Sequence, residues 1–257
     1  MPRQARQLSK TGIYHVLVRG INRGAIFHDD EDRQRYLDTL TRISKDNDAM
    51  ILGYCLMDNH VHILLQEGAR SVSNLMNRLG ASYAYYYNWK YERVGHVFQN
   101  RFKSENIEDD TYFKIVIRYI HLNPVKAGIV KKAKAYHWSS CQAYYSGKDY
   151  LPGLTNRELI LGMFSENKHQ AVIAFQQFTE SETQDKCLED LEASALSDSQ
   201  AREVIEKALN KRPVKILQEM SKTDRDVVLH NLKEIEGLSI RQISRLTGES
   251  FNIVKRS

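Results

Sequence analysis

Two histidines separated by one residue are the first feature that could carry chemistry. His60-Val61-His62 lies in the apolar run 60–66, whose β-branched residues predict a strand. Alternate strand residues leave by the same face, so both imidazoles should point one way and Val61 into the opposite layer. Two neutral imidazoles on one face can bind a divalent metal ion. Alone, this pattern is weak evidence, because a chain with 9 histidines often contains such a pair by chance.

A tyrosine and an asparagine four residues apart form a second pair. Tyr119 and Asn123 lie in a predicted helix that Asp109 and Asp110 open and that Pro124 should end near Asn123. Residues at this spacing share a helix face. A tyrosinate can attack a phosphodiester and leave a phosphotyrosyl link when a metal neutralises the scissile phosphate, and an amide oxygen suits Mg²⁺ or Mn²⁺. The alternative is a half-buried helix tyrosine followed by a capping asparagine.

The two motifs together, MDNHVH at 57–62 and RYIHLNPVKAG at 118–128, closely resemble the single-tyrosine HUH transposases, especially the REP-associated tyrosine transposase branch. The resemblance spans residues 1 to about 150. It implies a ferredoxin-like catalytic domain that binds single-stranded DNA hairpins, with His60 and His62 as metal ligands and Tyr119 as the nucleophile. Asn123 falls where the family places its third, amide-type ligand, often Gln in the related insertion-sequence enzymes. His121 lies outside this pattern.

The elements that must position these residues alternate between strands and helices. A helix should follow the acidic residues at 29–32, and a second helix should cover 71–92 with Tyr83 and Tyr86 toward the core, where we favour packing over base stacking. Strands are predicted at 13–19, 50–57, 60–66 and 97–107, the last as one strand or as two about Asn100-Arg101. The order β-α-β-β-α-β-α predicts an α+β fold, a ferredoxin-like antiparallel sheet with helices packed on one face.

The strand signals disappear after about residue 150, which divides the sequence into a catalytic domain, 1–150, and a helical C-terminal region, 151–257. Helices are predicted at 157–163, 168–178, 201–209 and 214–220. Near the end, at about 229–257, a helix begins at 238–240, Gly248 marks a turn, and Ser250 caps a last helix. This pattern resembles a helix-turn-helix, with a plain helical hairpin as the alternative.

Charge is distributed in blocks. Residues 1–150 carry 22 Lys+Arg against 15 Asp+Glu, residues 151–209 carry 5 against 11, and residues 210–257 carry 10 against 6. Two basic blocks around an acidic one suit a protein that contacts a polyanion at two places, although solvated surface explains any single lysine as well. Phosphate contacts are predicted for Arg3, Arg6, Lys10, Lys126, Lys131, Lys132, Arg241, Arg245, Lys255 and Arg256.

The cysteines and the N-terminus restrict the cellular context. Cys55, Cys141 and Cys187 are odd in number and far apart, so neither a disulfide framework nor a thiolate zinc site is expected. The basic N-terminus lacks an apolar signal segment, and no run approaches the length of a membrane span. We therefore expect a cytoplasmic protein without a membrane partner.

The leading interpretation is a metal-dependent single-stranded DNA endonuclease and strand transferase that uses Mg²⁺ or Mn²⁺ and forms a covalent phosphotyrosine intermediate. Its partner would be single-stranded or hairpin DNA, and a homodimer is a possible assembly. Two alternatives stay open: a non-catalytic DNA-binding regulator derived from a transposase, and a nuclease that uses metal-bound water.

Overall fold

The structure, a computed structural model, describes residues 8–181, 183, 185, 187, 198–209, 214, 216–235, 238 and 240–257. The chain divides into two compact units, Met1–Asp185 and Lys186–Ser257. Each unit has its own buried apolar residues, and each is described by itself.

A four-stranded antiparallel sheet forms the centre of the first unit. Its strands are β1 (Ile13–Arg19), β2 (Met50–Met57), β3 (His60–Gln66) and β4 (Lys103–Asn106). They lie in the order β2-β3-β1-β4, and every neighbouring pair is antiparallel. This is the strand order of a ferredoxin-like sheet, so the predicted α+β fold class is confirmed.

Three long helices follow the strands, and each begins at a side chain that caps it. These helices are α1 (Asp30–Asp46), α2 (Val72–Lys90) and α3 (Asp110–Lys126). The side chains of Asp29, Ser71 and Asp109 accept hydrogen bonds from the free backbone N–H groups of the first turns. Such caps typically contribute about 1 kcal/mol each and fix where a helix starts.

The three helices are divided between the two faces of the sheet. Directly paired strand residues share a face, so the register places His15, Leu17, Gly53 and His62 together on what we call the histidine face. Helix α3 packs there: a Cβ added at Gly53 would lie 2.3 Å from Cδ1 of Ile117. Helices α1 and α2 share the opposite face, as predicted, whereas α3 does not lie with them.

Helix α3 continues beyond the residue where the sequence predicted its end. It runs through Pro124 to Lys126, and the N–H of Ala127 still bonds the carbonyl of Asn123 at 2.9 Å. A proline inside a helix removes its own N–H bond and crowds the carbonyl four residues before it, but a helix that is held by tertiary packing can pass through it. The predicted end near Asn123 was therefore wrong.

The fourth strand is shorter than the predicted span 97–107. Only Lys103–Asn106 pairs continuously with β1, and upstream of it Phe98 forms an isolated bridge to Gly20. The chain bends at 99–101 between these two contacts. The break falls at Asn100-Arg101, where the sequence left open a division into two short strands.

The first unit extends past the predicted boundary near residue 151. After α4 (Cys141–Ser146) and α5 (Glu158–Leu161), helix α6 (Lys168–Glu180) packs against α3 and α4. Phe175 of α6 is fully buried and stacks on Tyr144 with 4.7 Å between ring centroids. These helices belong to the same compact body as the sheet, although they carry no strand signal. A functional division at residue 150 stays a prediction.

The second unit is helical. It contains α7 (Asp198–Ala208), α8 (Ile216–Glu219), α9 (Lys222–Lys233), α10 (Ile240–Thr247) and α11 (Phe251–Arg256). Its buried core is made of Ala201, Ile205, Leu209, Leu217, Leu229, Leu232, Leu238, Ile243 and Val254. Gly248, at φ 78°, turns the chain between α10 and α11, and Ser250 caps α11. In the described part of the chain, no helix has the length and apolarity needed to cross a membrane.

We expect Gly53→Ala to lower the free energy of unfolding by about 1–3 kcal/mol, because the added methyl group overlaps Ile117 where α3 meets β2. Adding Ile117→Val removes the overlapping carbon, so the double variant should regain part of the loss. Urea unfolding of the wild type, both single variants and the double variant measures this coupling. A Gly53→Ala protein as stable as the wild type would contradict the close contact.

Candidate active site

The paired histidines lie together on the histidine face, as the strand period predicted. His62 is completely buried and His60 is 8% exposed, with 5.1 Å between their ring centroids. Val61, between them, is buried in the opposite layer. Both imidazoles therefore point into the space between the sheet and α3.

Helix α3 brings the tyrosine and the asparagine to these histidines. Nδ2 of Asn123 lies 3.3 Å from Nε2 of His62, and the ring of Tyr119 lies 5.7 Å from the His62 ring, centroid to centroid. The two motifs, which lie far apart in the sequence, thus place His60, His62, Tyr119 and Asn123 in one site. A site with a phenol beside two imidazoles and an amide has the groups needed for nucleophilic attack next to a bound cation.

His60 is held by the loop at the end of β1. Its Nδ1 lies 2.7 Å from Oδ1 of Asn59, and Nδ2 of Asn59 donates to the carbonyl of Arg23 at 3.0 Å. Asn22 and Arg23 both have positive φ, 52° and 58°. Non-glycine residues rarely adopt this conformation. Such strained backbone is found more often beside functional sites than elsewhere.

Two cations on α3 flank Tyr119. Nζ of Lys126 lies 4.3 Å from the centroid of the Tyr119 ring, within the range of a cation–π contact. Arg118 makes an ion pair with Asp185 and stacks over Phe178, with 3.9 Å from Cζ to the ring centroid. Tyr119 is 2% exposed. Lys126, which is exposed, is therefore the cation best placed to meet a phosphate near the phenol.

Two residues of the site escaped the sequence analysis. His15 on β1 is buried, and its Nε2 lies 2.9 Å from Nδ1 of His62, while its Nδ1 lies 2.6 Å from Oε1 of Glu105 on β4. Neither residue belongs to a recognisable motif. Only the pairing of β1 with both β3 and β4 brings these side chains together, and no short-range pattern encodes that pairing.

The donor set fits a hard or borderline divalent cation. Two imidazole nitrogens suit a borderline cation, and the amide oxygen of Asn123 is a hard ligand of the kind that Mg²⁺ and Mn²⁺ prefer. Rotating the Asn123 amide would turn its oxygen toward His62. Among the described residues, no three His, Cys, Asp or Glu side chains are arranged to hold a metal ion. A metal here would therefore depend on His60, His62 and the Asn123 amide, and its other coordination positions would be left for water or phosphate.

The predicted phosphate contacts lie in several places. Lys10, Lys131 and Lys132 are exposed in the first unit, whereas Arg3 and Arg6 lie outside the described residues. In the second unit, Arg245 pairs with Asp198 at 2.5 Å. The other predicted phosphate contacts of this unit, Arg241, Lys255 and Arg256, are exposed to solvent.

Comparison with known proteins finds a family match within the first unit. A family model described as "Transposase IS200 like" matches residues 9–123, the segment that holds the sheet, α1, α2, Tyr119 and Asn123. This segment is similar to the IS200-like transposases, and the predicted resemblance is confirmed. None of the curated proteins matches the chain in sequence.

Two solved structures are similar to the chain at low identity. A REP-associated tyrosine transposase bound to a REP hairpin is 18% identical, with 60% of this chain and 97% of that chain covered and a TM-score of 0.49. A proposed transposase from Deinococcus radiodurans is 17% identical, with 46% of this chain and 95% of that chain covered and a TM-score of 0.33. The fold assignment therefore rests on the strand order described above.

His121, next to the site on α3, has a structural role. Its ring is fully buried between Tyr144 and Phe175, and its Nε2 lies 2.9 Å from Oγ of Ser140. Burial disfavours the charged imidazolium and lowers the pKa of His121 from 6.5 to about 3. The residue is neutral in the folded protein at neutral pH.

This pKa makes the stability depend on pH. Below pH 6.5 the unfolded chain binds a proton at His121 and the folded chain does not. The free energy of unfolding should therefore fall as the pH drops from about 6.5 toward 3, by at most ~1.4 kcal/mol per pH unit. His121→Gln should reduce the slope by about one proton, as measured by urea unfolding between pH 7 and pH 4. The exposed residue His169, changed to Gln, is the control and should leave the slope as it is. An equal slope in wild type and His121→Gln would contradict the assignment.

Proposed function

We propose that this protein is a metal-dependent single-stranded DNA endonuclease and strand transferase in which Tyr119 is the nucleophile. His60, His62 and Asn123 would bind Mg²⁺ or Mn²⁺, and the substrate would be single-stranded DNA at hairpins, as the family resemblance implies. The observation that carries the proposal is the position of the Tyr119 ring, 5.7 Å from the ring of His62 and on the same helix as Asn123.

In the proposed reaction, Oη of Tyr119 attacks the scissile phosphorus and loses its proton to solvent. One P–O bond to the phenol forms, one backbone P–O bond breaks, and the leaving oxygen takes up a proton. The phosphotyrosyl ester keeps the energy of the broken bond, so a DNA hydroxyl can reverse the step and rejoin a strand. The metal, when bound, would neutralise charge on the scissile phosphate. Lys126 would bind a phosphate oxygen beside the phenol.

Two other readings compete with this one. A regulator derived from a transposase would bind DNA without cutting it, and intact His60, His62 and Tyr119 in one site argue against it. A nuclease that uses metal-bound water would cut without becoming linked to DNA. A cytoplasmic location, a homodimer and a DNA-binding helix-turn-helix at α10 and α11 stay predictions.

Tyr119→Phe should fold and bind DNA but form no covalent adduct, because it lacks only the nucleophilic oxygen. The assay is incubation with a library of single-stranded hairpins and Mn²⁺, followed by denaturing gels that separate protein linked to DNA from free protein. Tyr85→Phe is the matched control, since Tyr85 is 79% exposed on α2 and should not affect adduct formation. Cleavage by Tyr119→Phe at the wild-type rate would rule out the tyrosine mechanism.

The same assay tests a metal ligand and separates the competing hypotheses. His60→Ala should lose cleavage yet keep most of its DNA affinity, which is expected to come from lysine and arginine. Cleaved DNA without an adduct in the wild type would favour metal-bound water. Binding without cleavage on any hairpin in the library would favour the regulator.

The basic block at 210–257 predicts a measurable salt effect. Changing both Lys255 and Arg256 to Gln in the full chain should weaken binding to a hairpin with flanking DNA and reduce the slope of log K against log salt by about 0.7 per lost contact with single-stranded DNA. Changing Lys168 and Lys207, exposed in the acidic stretch, to Gln is the control that removes equal charge. Identical slopes for the two double variants would mean that α11 does not contact DNA.

A further inference from the structure

A hydrogen-bonded chain of four polar side chains begins at His62 on β3 and continues across β1 and β4 to α3. Oε1 of Glu105 lies 2.6 Å from Nδ1 of His15, and Nε2 of His15 lies 2.9 Å from Nδ1 of His62. The hydroxyl of Tyr112 donates to the other oxygen, Oε2, of Glu105 at 2.9 Å. His15 and His62 are completely buried, so water does not satisfy these ring nitrogens. We call this chain, Tyr112, Glu105, His15 and His62, the relay.

With Glu105 ionised and His15 neutral, the chemistry of each group fixes where the protons lie. An ionised carboxylate only accepts hydrogen bonds, so Nδ1 of His15 must carry the proton that Glu105 receives. A neutral imidazole has one N–H, and Nε2 of His15 is then an acceptor. His62 must consequently donate from Nδ1, which leaves the lone pair on its Nε2.

The far end of the relay reaches the candidate site. Nε2 of His62 lies 3.3 Å from the Asn123 amide. It therefore faces the site that contains Tyr119, whichever end of the amide is turned toward it. Tyr112, at the other end, is on α3 like Asn123, so the same helix contacts both ends of the relay.

We propose that Glu105 and His15 are positioning residues that hold His62 in its Nδ1–H tautomer, so that the Nε2 lone pair is presented to a divalent cation. The inference rests on the proposed function and deepens it. Histidine ligands of metals usually give their other N–H to a carboxylate or carbonyl, and loss of that partner typically lowers metal affinity 10–100-fold. Here the carboxylate acts through a second imidazole.

A merely structural role for His15 makes a different prediction. A buried pair of histidines could serve only to satisfy each other, and its loss would then reduce stability without changing the proton position on His62. The two roles are separated by a direct measurement of the tautomer in the metal-free protein and by the affinity for Mn²⁺, neither of which depends on DNA cleavage.

The test uses the full chain labelled with ¹⁵N-histidine. Long-range ¹H–¹⁵N spectra without metal report the tautomer of each ring, and His62→Gln identifies the His62 signals. Calorimetric titration with Mn²⁺ gives the affinity. The variants are Glu105→Leu, which removes the acceptor, Glu105→Gln, which keeps an acceptor oxygen, and Val16→Ala, a control that truncates a buried β1 side chain on the opposite face.

We expect wild-type His62 to be the Nδ1–H tautomer, Glu105→Leu to shift it toward Nε2–H, and Mn²⁺ affinity to fall at least tenfold. Glu105→Gln, whose neutral amide oxygen is a weaker acceptor than a carboxylate, should show a smaller shift in the same direction. Val16→Ala should lose stability with tautomer and affinity unchanged. If Glu105→Leu does not fold, a fall in the Nδ1–H population of His62 in Glu105→Gln supports the relay, and an unchanged population overturns it.

The inference can be overturned by two routes. Wild-type His62 in the Nε2–H form, or a Glu105→Leu protein with unchanged tautomer and affinity, overturns the positioning role while the proposed function stands. Wild-type protein that has the expected tautomer but binds no Mn²⁺ overturns the metal-dependent function, and with it the role of the relay toward a metal.

Discussion

The packing of α3 across the histidine face is the contact on which the rest of the candidate site depends. Gly53 allows this approach, because any larger residue there would meet Ile117. Because α3 packs on this face, Tyr119 and Asn123 contact His62. Tyr112 of the same helix donates a hydrogen bond to Glu105. One helix therefore supplies the candidate nucleophile, a candidate ligand and the support for a carboxylate.

The same packing buries the polar groups and so makes their hydrogen bonds obligatory. A buried imidazole without a partner costs free energy comparable to the loss of a hydrogen bond, and the relay satisfies both nitrogens of His15 within the protein. Because proton positions in such a chain are interdependent, a carboxylate at the edge of the sheet can decide which nitrogen of His62 carries the proton. His121 shows the contrast: it is equally buried, but its hydrogen-bond partner is the hydroxyl of Ser140 and not a carboxylate.

Burial also sets a requirement for the proposed chemistry. Tyr119 is 2% exposed, so its oxygen must become accessible before it can meet a phosphorus atom. Lys126 stacks on the same ring and is itself exposed, and its Nζ also contacts the carbonyl of Asp185. An incoming phosphate would compete for this lysine, which gives DNA binding a direct way to change the surroundings of the phenol.

The sequence by itself determined what depends on short spacing. The strand period put His60 and His62 on one face, the helix period put Tyr119 and Asn123 together, and the capping residues Asp29 and Asp109 marked helix starts. The tertiary structure decided which face α3 covers, how far the first unit extends and that α3 continues through Pro124. It also joined His15 to His62 and Glu105, which are 47 and 90 residues away along the chain. Strand pairing and helix packing, which are set by the whole fold, create contacts at such separations, and no local pattern of residues specifies them.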